Sequence, residues 1–174
     1  MPPSVTAWRM SWIFGLLIGG LWMGEVVLGN LGGTSVFGDL REFHPSIYGL
    51  APLFALGAVV CTAVCGLVVA YQTGSIRAAL RVGVWSGVIS GAITFVVIMS
   101  VTILFHDAMM KDSSNIHEFA RSAHRSPTEE ELSTFLYRDA LGGGLNHIWI
   151  GPLLGVTIGG LGAIMGKSMR QVDA

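Results

Sequence analysis

Four stretches of the chain run almost without a charge: roughly Trp12 to Leu31, Ile47 to Tyr71, Val82 to Phe105 and Ile148 to Met165. All four are continuously apolar, unlike the strands of a β-barrel, which alternate over about ten residues. A helix rises about 1.5 Å per residue, so about 20 residues cross the ~30 Å of bilayer hydrocarbon. The pattern therefore predicts an all-α integral membrane protein with four transmembrane helices, at 12–31, 47–71, 82–105 and 148–165. It predicts a single membrane domain over 1–174, with an outward loop at about 106–146. The first stretch is read as a retained helix, because it lacks a small-residue cleavage motif and holds Glu25 where a signal peptide is purely apolar.

Within that outward loop the pattern changes to amphipathic. Ser126-Pro127-Thr128-Glu129 reads as a helix start with Ser126 as N-cap and Pro127 in the first turn. Leu132, Phe135, Leu136 and Ala140 then share one face, and Gly142-Gly143-Gly144 is expected to end the helix. A second short helix is expected from Ser114 to His124, with Ile116, Phe119, Ala120 and Ala123 as its apolar side. Both are placed as a cap on the bundle, in the headgroup region or against a neighbouring protein.

Composition agrees with lipid as the solvent. Of 174 residues, 52% are hydrophobic and 12% charged, where a soluble domain carries about 25% charged residues; the mean hydropathy is +0.64. Arg9 precedes the first run, Arg77 and Arg81 sit between the second and third, and Lys167 and Arg170 follow the fourth. Cationic loops stay on the cytoplasmic side. Both termini are therefore expected in the cytoplasm, with the chain multi-pass in the cell inner membrane. Trp8, Trp12, Tyr48 and Trp149 fit interfacial belts, whereas Trp22 and Trp85 read as deeper packing residues.

Glycine is abundant, at 24 residues, and recurs at helical spacing. Gly15 pairs with Gly19; Gly83, Gly87 and Gly91 form one row; Gly151, Gly155 and Gly159 form another. Small residues four apart let backbones approach closely, a main source of helix association in lipid. These rows are assigned to helix packing, inside the bundle and against other subunits. Gly15–Gly19 and Gly87–Gly91 lie at similar positions in helices 1 and 3, and Pro52 and Pro152 both open their runs. The two halves thus read as tandem helical hairpins.

Glu25 interrupts an apolar run. A charge at the bilayer centre costs about 2.5–3.5 kcal/mol on insertion scales, which about ten apolar neighbours offset. Insertion is possible, and the question is what holds the carboxylate. His106, Asp107, Asn146, His147 and His44 lie at matching helix ends, so Glu25, His106, Asp107 and His147 form the candidate set for proton, cation or polar contacts. None has metal-ligand spacing, and Cys61 and Cys65 carry no CxxC pattern, so no metal is assigned. P-loop, GxGxxG, GxSxG and CxxCH patterns are absent and no histidine lies deep in a run, so no cofactor and no catalytic residue is assigned. A net charge of −1 without a basic cluster gives no expectation of nucleic acid.

The expected partners are membrane lipid and other membrane subunits or further copies of the chain. The expected function is that of a non-catalytic accessory subunit of a larger inner-membrane complex, associating through the Gly/Ala-rich faces. The alternative is a small oligomeric transporter or channel for protons, cations or a small solute, with Glu25 in the pathway.

Overall fold

The computed structural model describes residues 5–32, 34, 36 and 50–172. The first outward link, with His44, Tyr48 and the expected start of helix 2 at Ile47, lies outside the described residues. Six helices are described: α1 Val5–Leu31, α2 Leu50–Thr73, α3 Ile76–Leu104, α4 His106–Met110, α5 Ser113–Ala123 and α6 Glu129–Val172. Four of them, α1, α2, α3 and α6, are long and apolar enough to cross a membrane. Much of their outer surface is large and apolar; Leu16, Leu53, Val96, Leu153 and Leu161 are all more than half exposed. Such a surface is suited to lipid and not to water.

The helices are placed by their glycines. Gly83, Gly87 and Gly91 of α3 lie against the backbone of Gly155, Gly151 and His147 of α6. Rising numbers on one helix meet falling numbers on the other, so the pair is antiparallel. Gly162 and Gly166 of α6 lie against Ala63 and Leu67 of α2, which makes that pair parallel. Gly15 and Gly19 of α1 fit under Ile89 and Ile93 of α3, and Gly24 under the ring of Phe54 in α2. Around the bundle the order is α1, α2, α6, α3. The nominated glycine rows are therefore engaged within the chain. A Cβ at Gly83 would stand 2.6 Å from the Gly155 carbonyl oxygen, well inside van der Waals contact. The buried core between them is built largely of small residues, including Ala58, Cys65, Ala70, Ala79 and Ala163.

One tight turn joins α2 to α3. Gly74, at φ +67°, takes the left-handed conformation that closes a helix C-terminus, and its N–H donates to the Ala70 carbonyl at 2.7 Å. Ser75 then caps α3, accepting from the Ala78 N–H at 3.3 Å. Arg170, near the end of α6, donates to the Tyr71 and Gln72 carbonyls at 3.3 and 2.8 Å. Both carbonyls belong to the last turn of α2, so Arg170 serves that helix end and ties α6 to the turn. This contact puts Arg77, Arg81, Lys167 and Arg170 at one end of the bundle. Trp8 joins them there through its ring contact with Trp85.

Four sequence expectations change here. First, Gly142-Gly143-Gly144 does not end a helix: α6 runs 44 residues without a break, about 66 Å at 1.5 Å per residue. Glycine weakens a helix, yet Gly144 is needed, since a Cβ there would stand 2.7 Å from the Phe95 ring. Second, Pro152 consequently lies inside a helix and not in a first turn. Third, the N-cap of α6 is Thr128, two residues after Ser126. The Thr128 hydroxyl accepts from the Glu131 N–H at 3.3 Å, and the Glu131 carboxylate accepts from the Thr128 N–H at 3.0 Å. That reciprocal capping box takes precedence over the Ser126 alternative. Trp85 also differs from expectation: it sits edge-to-face on Trp8, 6.0 Å between centroids, and is 45% exposed.

Candidate functional site

The polar groups gather at the opposite end of the bundle, where α4, α5 and the first turns of α6 fold together. Asp112 caps α5, accepting from the Ser114 N–H at 2.8 Å and the Ser114 hydroxyl at 2.7 Å. Asn115 donates back to the Met109 carbonyl at 2.8 Å, fixing the α4–α5 corner. His124 ends α5 in the left-handed conformation, φ 56°. Below the corner, Leu31, Val101, Met109 and Leu136 form a second small core joining α1, α3, α4 and α6.

His106 begins α4 and lies on α6. Its Nε2 is 3.1 Å from the Ser133 hydroxyl, and its ring stacks on Tyr137 at 4.9 Å and 16°. Ser133 and Tyr137 stand four apart on one helix face and so grip the imidazole together. His106 Nδ1 is buried and has no hydrogen-bond partner among the described residues. Beside the ring opens a cleft of about 660 Å³ lined by His106, Asp107, Lys111, Glu129, Glu130 and Ser133. Three carboxylates against one lysine make its mouth negative, suited to a cationic group. A second cleft, of about 420 Å³, runs between α5 and α6 past Phe119, Phe135 and Arg138. The two phenylalanine rings meet edge to face at 5.6 Å and hold α5 against α6.

Glu131 closes this region. Its carboxylate takes both terminal nitrogens of Arg125, together with the Thr128 N–H. The Arg125 hydrogen bond, followed by that of Thr128, holds the Glu131 carboxyl down to about 2, and the same pair raises Arg125. These turns are charged and lie far from the apolar run of α6.

The four candidate residues do not converge. His106 and Asp107 share the cleft. His147 is elsewhere, edge-to-face with Trp22 of α1 at 5.0 Å. Glu25 continues the α1 stripe Ser11, Phe14, Ile18, Trp22 that faces the bundle, and is half-buried. It has no hydrogen bond or ion pair with any described residue. Its neighbour Val26 packs with Ile98 and Ala140, which sets Glu25 towards the polar end and away from the bundle middle. There the cost of a charge falls. Among the described residues no three His, Cys, Asp or Glu side chains gather in a way that could hold a metal ion.

The bundle interior is nearly closed. Ser86, Ser90, Thr94 and Thr62 are buried, but each hydroxyl donates to a carbonyl of its own helix at 2.8–3.0 Å. Between Thr62, Ser86 and Ser90 lies a cavity of about 10 Å³, bordered by Ile18, Trp22 and Leu154, which is room for about one water.

No family model, curated protein or solved structure matches this chain.

The contacts of His106 were not readable from sequence, since Ser133 and Tyr137 lie far along the chain.

Proposed function

We propose that the chain is a multi-pass protein of the inner membrane acting as a non-catalytic accessory subunit, with both termini cytoplasmic. Partners engage the polar end in this reading, because the glycine faces are already occupied by the chain's own helices. The observation that carries it is α5. This eleven-residue helix has a polar and an apolar side, yet no residue of it is buried in the chain. Ile116 remains 37% exposed, one cleft runs between α5 and α6, and the acidic cleft opens on α4 and the same first turns of α6. A membrane partner offering apolar side chains to Ile116 and Phe119, and a cation to Glu129 and Glu130, complements this surface.

Glu25 supports a second reading, as a proton or cation ligand in a transporter, through its half-buried and unpaired carboxylate. The near-closed interior counts against a path through one copy and requires the path to run between copies. The test is a native mass measurement after mild solubilisation, with wild type and Ile116→Asp compared. A larger heteromeric particle that Ile116→Asp dissociates, with helicity unchanged, supports the subunit reading. A monodisperse particle of this chain alone contradicts it.

A further inference from the structure

The end of the bundle away from α5 has a different chemistry. Arg9, Arg77, Arg81, Lys167 and Arg170 all lie there and are exposed. Every described carboxylate, from Glu25 to Asp139, belongs to the other end. Arg170 is engaged by the α2 carbonyls, but Arg77 and Arg81 have no hydrogen bond or ion pair with any described residue.

These two arginines are not scattered. Arg77, Arg81 and Trp85 follow each other at four-residue steps, so they line one face of α3. Trp85 packs edge-to-face on Trp8 of α1, and Trp8 in turn on Trp12 at 5.8 Å. The three rings keep 42–45% of their surface open. The α1/α3 seam thus presents indole rings at one level and, one and two helical turns further out, two guanidinium groups.

We propose that this seam binds an anionic phospholipid. Guanidinium groups match phosphate oxygens with paired hydrogen bonds. Indole rings favour the glycerol and upper acyl level, where one edge is wet and the body apolar. The order along α3, ring first and cations beyond it, is the order in which a lipid presents its backbone and headgroup. A basic pocket between membrane helices is a known way to hold acidic headgroups, and among the described residues no carboxylate stands at this end to pair with the arginines.

The test uses the full chain in a zwitterionic detergent-lipid mixture, with bound lipid followed by native mass spectrometry and by thermal shift. Phosphatidylglycerol is expected to be retained and to raise the melting temperature, while phosphatidylcholine and soluble glycerol phosphate do neither. A cation beside an anionic surface is worth about fivefold in binding, so Arg81→Gln should weaken retention by about fivefold and Arg77→Gln/Arg81→Gln by about 25-fold. Lys167→Gln, the same charge loss at the same end but off the tryptophan face, should change it by less than about twofold. If the double variant fails to fold, Arg81→Lys keeps the charge but loses the forked geometry, and should still weaken retention. Equal retention of the two lipids would overturn the proposal, as would equal losses in Lys167→Gln and Arg81→Gln, or wild-type retention by both Arg81→Gln and Arg81→Lys. A shift produced by glycerol phosphate alone would also overturn it, pointing to a site for free phosphate.

Discussion

Replacing Gly83 by alanine tests the packing account at its tightest kind of contact. The new Cβ would stand 2.6 Å from the Gly155 carbonyl oxygen and 3.1 Å from its carbon, both backbone atoms. An ordinary contact begins at about 3.4 Å, so α3 and α6 must part by about 0.8 Å. A gap of 0.5–1 Å forfeits about a quarter to a half of each dispersion contact it opens. The loss falls along the whole seam, because Gly87 against Gly151 and Gly91 against His147 are held by the same separation. In lipid no compensating hydrophobic gain exists, since the exposed surface meets acyl chains. Overpacking of this kind costs about 1–3 kcal/mol, set against about 1 kcal/mol gained from alanine's helix preference. The matched control is Gly142→Ala, also within a helix but with nothing inside 4 Å; it should stabilise by about 0.5–1 kcal/mol. Reversible unfolding in mixed micelles, followed by circular dichroism, measures both. Gly83→Ala as stable as Gly142→Ala would refute the close seam.

Other expectations follow from the polar end and from α1. Thr128→Ala removes the α6 cap and should cost about 1 kcal/mol locally, read as faster amide exchange over 129–133 with 150–165 unchanged. Glu131 is depressed in the folded chain, so its contribution is fully present above the ordinary Glu range. It is lost as pH falls towards about 2; amide protection at the start of α6, taken relative to the intrinsic exchange rate at each pH, should drop over that interval and stay constant between pH 6 and 8. Glu25→Gln should leave folding and particle mass unchanged under the subunit reading, whereas loss of a proton or cation flux in vesicles would favour the transporter.

The four long helices were legible because their evidence is local: continuous apolar runs of sufficient length. The start and end of α5 were nearly legible for the same reason, since Asp112 and His124 lie beside the helix they bound. Gly142-Gly143-Gly144 misled because glycine is a stop signal only where the chain is free to turn. Here Gly144 must stay helical to pass beneath Phe95, a residue of another helix. The four-residue glycine rows marked close faces without naming their partners. That Gly83 meets Gly155 and not a neighbouring subunit depends on how α3 and α6 cross. Gly66, whose missing Cβ admits the Gly159 carbonyl, was passed over because no second glycine stands four residues away on α2. His106 and its grip by Ser133 and Tyr137 arise from α4 folding back along α6, a tertiary fact with no trace in spacing.

The central claim is that four helices cross a membrane, with the arginine-rich end and the α5 end on opposite sides. Cysteine labelling in sealed vesicles tests it directly, using Lys167→Cys and Glu118→Cys singly after Cys61 and Cys65 are replaced by alanine. The account predicts that a membrane-impermeant maleimide labels the two sites from opposite faces. Labelling of both from the same face, or release of the folded chain into detergent-free buffer, would contradict it.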